Sequence, residues 1–190
     1  GVIFMDRHQR CKWCNPKNEK YVLYHDSEWG VPDFDEHHLF EMLLLESFQA
    51  GLSWECVLNK CEAFRRAFDG FDVLKIARYG EDKIAELMQN KDIIRNKLKI
   101  RAAVNNAQIF IKIQKEYGSF REYLKGYTHE KPFVELGKTT SALSDAISAD
   151  LVNRGMKFVG STIIYSYLQA IGVIISHEKE CFMYKKEFLK

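Results

Sequence analysis

Apolar positions along this chain recur at helical rather than strand spacing. Between residues 35 and 49, Leu39, Phe40, Met42, Leu43, Leu44, Leu45 and Phe48 wrap a broad face, with Asp33 or Asp35 as a cap and Gly51 just beyond. A second helix is predicted after Ser53, through Trp54, Val57, Leu58, Cys61, Phe64 and Phe68. Short helices are expected at 72–79 and 81–89. A long one is expected from about 94 to 117, with Ile94, Leu98, Ala102, Ile109 and Ile113 on its apolar stripe. Ser119 to Glu122 reads as a capping box opening a further short helix. Helices at 144–154 and 162–171 follow, each with a glycine at the position where a helix ends, Gly155 and Gly172. Alternating strand patterns are almost absent and only 3 prolines occur, so the expected fold class is all-α.

A length of 190 residues suits one domain, or one domain with two lobes. With 46% hydrophobic residues the chain can bury a core and is not a disordered tail. No apolar run approaches the roughly 20 residues of a membrane helix. Residues 1–5, where a glycine precedes Met5, are too short for a signal peptide and are read as an appended or disordered end. Five cysteines, an odd number, favour a reducing compartment with thiols used for metal or chemistry.

The net charge of +2 excludes a purely electrostatic nucleic-acid coat but hides an asymmetry. Residues 91–125 hold nine basic and three acidic side chains, a surplus of six positive charges. Residues 1–60 hold six basic and ten acidic ones, a surplus of four negative charges. Such a basic segment is either a solvated helix face or a surface for DNA phosphates, with Lys97 and Lys99 as expected contacts.

Three constellations could carry chemistry. His177 and Cys181 lie four residues apart, on one face of a helical turn, and Cys11 and His25 lie near the other terminus. Two sulfurs and two imidazoles make a closed set suited to structural zinc, and would staple both ends of the chain. Cys14 competes with His25 for the fourth position, and Cys11 with Cys14 also reads as a redox pair, though without a βαβ context. Glu46 lies among Leu39, Met42, Leu43 and Ala50, so its carboxylate points along an apolar face; it is either an edge residue or a pocket acid that accepts hydrogen bonds from a ligand. Trp13, Tyr21, Tyr24, Trp29 and Trp54 are either core or a platform for a planar base.

At these residues the sequence resembles the DNA-3-methyladenine glycosylase I family. The matching stretches are 10–13 (Arg-Cys-Lys-Trp), 24–32 (Tyr-His-Asp-Ser-Glu-Trp-Gly-Val-Pro), 45–54 (Leu-Glu-Ser-Phe-Gln-Ala-Gly-Leu-Ser-Trp), 154–160 (Arg-Gly-Met-Lys-Phe-Val-Gly) and His177 to Cys181. They run from about residue 10 to residue 182, in order and at matching intervals. The resemblance implies an all-α, helix-hairpin-helix glycosylase fold spanning 1–190 as a single domain. It implies two helical lobes, with a zinc site joining the N- and C-terminal segments. It implies Cys11, His25, His177 and Cys181 as ligands of a structural Zn2+, in place of Cys14. It implies Glu46 as the candidate catalytic carboxylate, acting on the modified adenine by hydrogen bonding. Tyr24 is then expected at the base edge, Trp54 stacked on the ring, and Trp13 and Tyr21 completing the wall. The implied partners are double-stranded alkylated DNA and the product 3-methyladenine, with no membrane, for a monomer of the bacterial cytosol and nucleoid.

The hairpin, expected near 84–101, departs from the family pattern. Asn90, Lys91 and Asp92 occupy its turn and no glycine is present there. Asn and Asp tolerate tight turns, so the hairpin is retained as an expectation. The family also lacks the catalytic aspartate of related glycosylases. That fits a substrate whose N3-methylated adenine is already cationic and leaves as a neutral base. The competing readings are a non-catalytic zinc module that binds DNA or damaged bases and, more remotely, a thiol redox protein using Cys11 and Cys14.

Overall fold

The computed structural model describes residues 6–184. Their elements are α1 (Glu19–Ser27), α2 (Glu36–Gln49), α3 (Trp54–Asn59), α4 (Cys61–Ala67), a 3-10 turn (Asp69–Phe71), α5 (Val73–Ile76), α6 (Glu81–Gln89), α7 (Lys97–Tyr117), α8 (Phe120–Lys125), β1 (Phe133–Val134), α9 (Ala142–Asn153), α10 (Ser161–Ala170) and β2 (Ile174–Ile175). The expected mainly helical architecture is present, and no described helix is long and apolar enough to cross a membrane. The reading of residues 1–5 lies outside the described residues.

Side-chain caps set most of the starts. Asp35, Ser53, Asn96 and Ser119 each accept a hydrogen bond from the first-turn amide of His38, Cys56, Lys99 and Glu122. The Ser119 box is only half made, because the Glu122 carboxylate instead accepts from Lys125 at 2.7 Å. A reciprocal box forms where none was expected: Ser141 and Ser144 exchange side-chain and main-chain hydrogen bonds, moving the start of α9 to Ala142.

Helix α2 is the central element and packs against α7 and α10. Leu39, Leu43 and Phe48 of α2, Ile100, Ala107 and Phe110 of α7, and Ile164 and Leu168 of α10 are essentially fully buried. Three sequence expectations give way here. The segment 54–68 is two helices, not one, because Lys60 (φ −101°, ψ 1°) interrupts the ladder and redirects Phe64 and Phe68 onto Phe48. The stripe of α7 runs through Ile100, Ala103, Ala107, Phe110 and Ile113; Leu98 is 72% exposed. The short helix expected at 72–79 shrinks to the single turn of α5. Helix α1 and the strands were not anticipated. β1 and β2 pair in parallel, Phe133 with Ile174 and Val134 with Ile175. That pairing fixes the chain just before Ser176 and His177.

Two of the positive-φ glycines shape the site. Gly172 (φ +82°) ends α10, and a Cβ there would fall 2.2 Å from the Pro32 nitrogen, so its bareness lets two segments cross. Gly51 (φ +78°) reverses the chain between α2 and α3. The turn between α6 and α7 needs no glycine, since none of its residues has positive φ. The Asn90 side chain accepts from the Asp92 amide at 2.9 Å and Ile93 plugs into the core.

Candidate active site and metal centre

Glu46 lies in the last turns of α2, 2% exposed. It reaches a cavity of about 480 Å³ whose walls include Trp13, Tyr21, Tyr24, Trp29, Trp54 and Gln49. Helix α1 supplies the tyrosines and the Gly51 reversal returns Trp54 to the same space. The Tyr24 and Trp54 rings stand 5.3 Å apart, and those of Trp13 and Tyr21 5.2 Å apart. All five residues expected in the pocket from sequence are thus brought together.

Its electrostatics are unusual. Glu46 Oε2, Gln49 Oε1 and Trp54 Nε1 are buried and have no hydrogen-bond partner among the described residues. Buried polar atoms are normally paired, and leaving one unpaired costs roughly 1–3 kcal/mol. Three such atoms on one cavity make two acceptors and one donor ready for a polar, planar ligand. Burial pushes the Glu46 carboxyl well above the usual carboxylate range. The Tyr24 hydroxyl is pushed up as well, first by burial and next by the neighbouring Glu46 charge. A ligand that is cationic, or that donates N–H groups, favours the ionised carboxylate here.

Gln49 was missed by sequence reasoning, although it lies one turn after Glu46, where i and i+3 share a face. Lys138, Gln169 and Glu178, also on the cavity wall, carried no sequence signal because distant segments bring them there.

Behind the aromatic wall, Cys11, His25, His177 and Cys181 are all buried, with their ligand atoms within 4.8 Å of one another. Cys181 Sγ stands 3.5 Å from His25 Nε2 and 3.6 Å from His177 Nδ1, and Cys11 Sγ 3.6 Å from the same Nδ1. Four donors around zinc, at bond lengths of roughly 2.0–2.3 Å, stand about 3.3–3.8 Å apart in a tetrahedron; the three separations above fall in that range, so this group could hold such an ion after a small inward adjustment of its wider pairs. Cys14 lies outside the group; its amide donates to the Cys11 carbonyl at 3.0 Å. The imidazoles are suited to ligation, since burial lowers the pKa of both, that of His177 to about 4. Asp26 holds His25 Nδ1 at 2.7 Å and is itself gripped by Arg10 at 2.6 Å, which aims Nε2 at the sulfurs. The cluster braces the pocket directly: Trp29 packs edge-on against His177 at 4.7 Å, and Trp13 lies 5.2 Å from His25.

The basic segment is sorted by the fold. Lys91, Arg95 and Lys97 around the α6–α7 turn are exposed, with no acidic partner within 4 Å among the described residues. Lys99 is a correction. It is 6% exposed and donates to the Phe48 and Ala50 carbonyls at 2.8 and 2.5 Å, so it cannot meet a phosphate.

A helical fold, an aromatic cavity with unpaired polar atoms and an exposed basic turn define a protein built to hold a planar, polar group beside an anionic surface. The comparisons give that class its family. The chain belongs to the methyladenine glycosylase family, whose model matches residues 13–184. It is 40% identical over 183 residues to DNA-3-methyladenine glycosylase 1 of Escherichia coli strain K12, covering 93% of this chain and 97% of that protein. It is 38% identical over 178 residues to DNA-3-methyladenine glycosylase of Haemophilus influenzae, covering 90% and 96%. A solved 3-methyladenine DNA glycosylase I superposes with a TM-score of 0.87 at 40% identity, over 92% of this chain and 98% of that one. The Staphylococcus aureus enzyme, solved to explain its recognition of 3-methyladenine, gives 0.86 at 36% identity over 92% and 97%.

Proposed function

We propose that this protein is a base-excision repair glycosylase. It flips N3-methyladenine out of alkylated double-stranded DNA and hydrolyses its N-glycosidic bond, leaving an abasic site. The observation that carries this reading is the trio of unpaired buried atoms, Glu46 Oε2, Gln49 Oε1 and Trp54 Nε1, on one aromatic cavity. A flipped adenine offers faces for Tyr24, Trp54, Trp13 and Tyr21, N–H donors for Glu46 and Gln49, and ring acceptors for a donor.

The attached lesion is cationic and its departure neutralises it, so no protonation of the leaving base is needed. The chain's task is to desolvate the flipped nucleotide and bind the departing ring better than the attached one. Glu46 serves mainly in recognition, as a buried acceptor for N–H groups of the base, and water attacks the sugar's anomeric carbon. Unmodified adenine lacks both the charge and the methyl group, so its N–H groups meet Glu46 without the charge-assisted strengthening and its glycosidic bond lacks the lability.

DNA is held by a helix-hairpin-helix formed by α6 and α7, on Lys91, Arg95 and Lys97. The turn forms without glycine because none of its residues has positive φ, and the exposed Lys91, Arg95 and Lys97 on it are what supports the assignment. Cys11, His25, His177 and Cys181 hold a structural Zn2+, which supplies folding free energy and joins the N- and C-terminal segments of a single, two-lobed domain. The protein works as a monomer in the bacterial cytosol; its curated relatives come from bacteria, Escherichia coli and Haemophilus influenzae. The deciding experiment is release of free 3-methyladenine from alkylated duplex DNA. Release supports the reading, and retention of the base on DNA by folded, zinc-loaded protein refutes it.

A further inference from the structure

Lys99 stands out because its place in the fold is poorly explained by packing. Among the described residues it is the one lysine in the buried class. It enters from the third position of α7, directly after the exposed Lys97 and Leu98. Its two acceptors, the Phe48 and Ala50 carbonyls, lie 51 and 49 residues away at the C-terminal end of α2. Terminal helix carbonyls lack helical donors and carry the negative end of the helix dipole, so a cation there satisfies both needs. Glu46 is one turn upstream of that junction, and Gly51 and Trp54 follow it. The Lys99 ammonium also lies 5.9 Å from the Phe158 ring. Phe158 is held at a left-handed φ of 56°, beside Lys157, whose main chain is gripped from both sides by Asn106 at 2.9 and 2.8 Å. An apolar side chain would fill the same volume without the expense of burying a charge.

We propose that Lys99 is a positioning residue whose buried ammonium locks the end of α2 to the start of α7, holding the base pocket in register with the DNA-binding turn. The inference rests on the glycosylase reading above. The three exposed cations of the turn and the Glu46–Trp54 corner then form one rigid unit. Seating the turn on the phosphates delivers the extruded base to an acceptor already in place, and small errors of placement are costly for such a step. Lys99 touches neither DNA nor base and acts through the α2 terminus.

The test uses Lys99→Met, which keeps the aliphatic stem and removes the donors, and Lys99→Arg, which keeps charge and donors. Three quantities are compared with wild type below each variant's melting temperature. They are single-turnover excision of 3-methyladenine from alkylated duplex, binding of free 3-methyladenine followed by tryptophan fluorescence, and the salt dependence of binding to undamaged duplex. For Lys99→Met the expected result is excision slowed about 10- to 100-fold, weaker base binding and an unchanged salt slope, with partial recovery in Lys99→Arg. A salt slope lowered by about 1 would make Lys99 a phosphate contact and overturn the proposal. Wild-type excision and base affinity in folded Lys99→Met would reduce it to packing and overturn it equally. If Lys99→Met does not fold, Lys99→Gln, which removes the charge and shortens the reach to the α2 carbonyls, takes its place: slower excision and weaker base binding at an unchanged salt slope support the role, and wild-type values refute it. A wild-type protein that releases no base refutes the glycosylase reading instead, while base binding and salt slope still decide the role of Lys99.

Discussion

Replacing Glu46 with glutamine exchanges one oxygen for an amide nitrogen inside the cavity and leaves volume and helix contacts intact. Glu46 Oε2 has no hydrogen-bond partner among the described residues, so the change breaks no hydrogen bond of that atom and takes away an acceptor the ligand could use. Loss of one hydrogen bond to a charged group costs about 1.5–3 kcal/mol, which is one to two decades in Kd. Glutamine can turn its carbonyl to the ligand and keep a neutral bond, which sets the lower end. Excision should fall by a similar factor without vanishing, because the lesion's own charge drives much of the bond cleavage. Binding to undamaged DNA should hardly change, since phosphate contacts dominate there. Stability supplies an independent check. The folded carboxyl titrates well above its ordinary value of 4.5, so ionisation opposes folding. That penalty is absent below pH 4.5, grows as pH rises from there towards the raised folded value and is constant above it. Melting curves should therefore show Glu46→Gln equal to wild type in acid and increasingly more stable as pH rises. Isothermal titration with 3-methyladenine and single-turnover excision test the first part. Normal base affinity with excision at background would refute the recognition role and make Glu46 an obligatory catalytic group.

Gln49→Leu removes the second unpaired acceptor and should weaken 3-methyladenine by about 0.5–1.5 kcal/mol with intact folding; unchanged affinity by titration would leave Gln49 outside the ligand's reach. Protein purified without chelator should carry one zinc per chain by elemental analysis. Cys181→Ser or His25→Ala should lose it together with more than about 4 kcal/mol of stability, whereas Cys14→Ser should keep it. Neutralising Lys97 should weaken binding to every duplex sequence alike and lower the slope of log K against log salt by about 0.9, measured by fluorescence anisotropy. An unchanged slope in Lys97→Ala would move the DNA to another face.

Much was determined by the sequence alone, for local reasons. Helical periodicity, a capping side chain and a following glycine are read within one or two turns, so α2, α7 and α10 were legible to within a few residues. The clustered aromatics around Glu46 and the two Cys/His pairs stood out because a carboxylate on an apolar face and ligand-type residues at both termini are chemically conspicuous. Residue spacing left His25 and Cys14 as rivals, the family resemblance implied His25, and the tertiary structure gives the physical reason by gathering His25 and not Cys14 with the other three donors. That choice depends on where α1 points a ring relative to Cys181, a residue 156 positions away. Only the tertiary structure could reassign Lys99 from the DNA surface to the α2 terminus, because charge along a sequence carries no record of which side of α7 faces inward. The break at Lys60, the Ser141 box and the β1–β2 pairing were hidden for the same reason. Each is fixed by what the segment packs against, and periodicity reports only that a face is apolar, never which partner covers it.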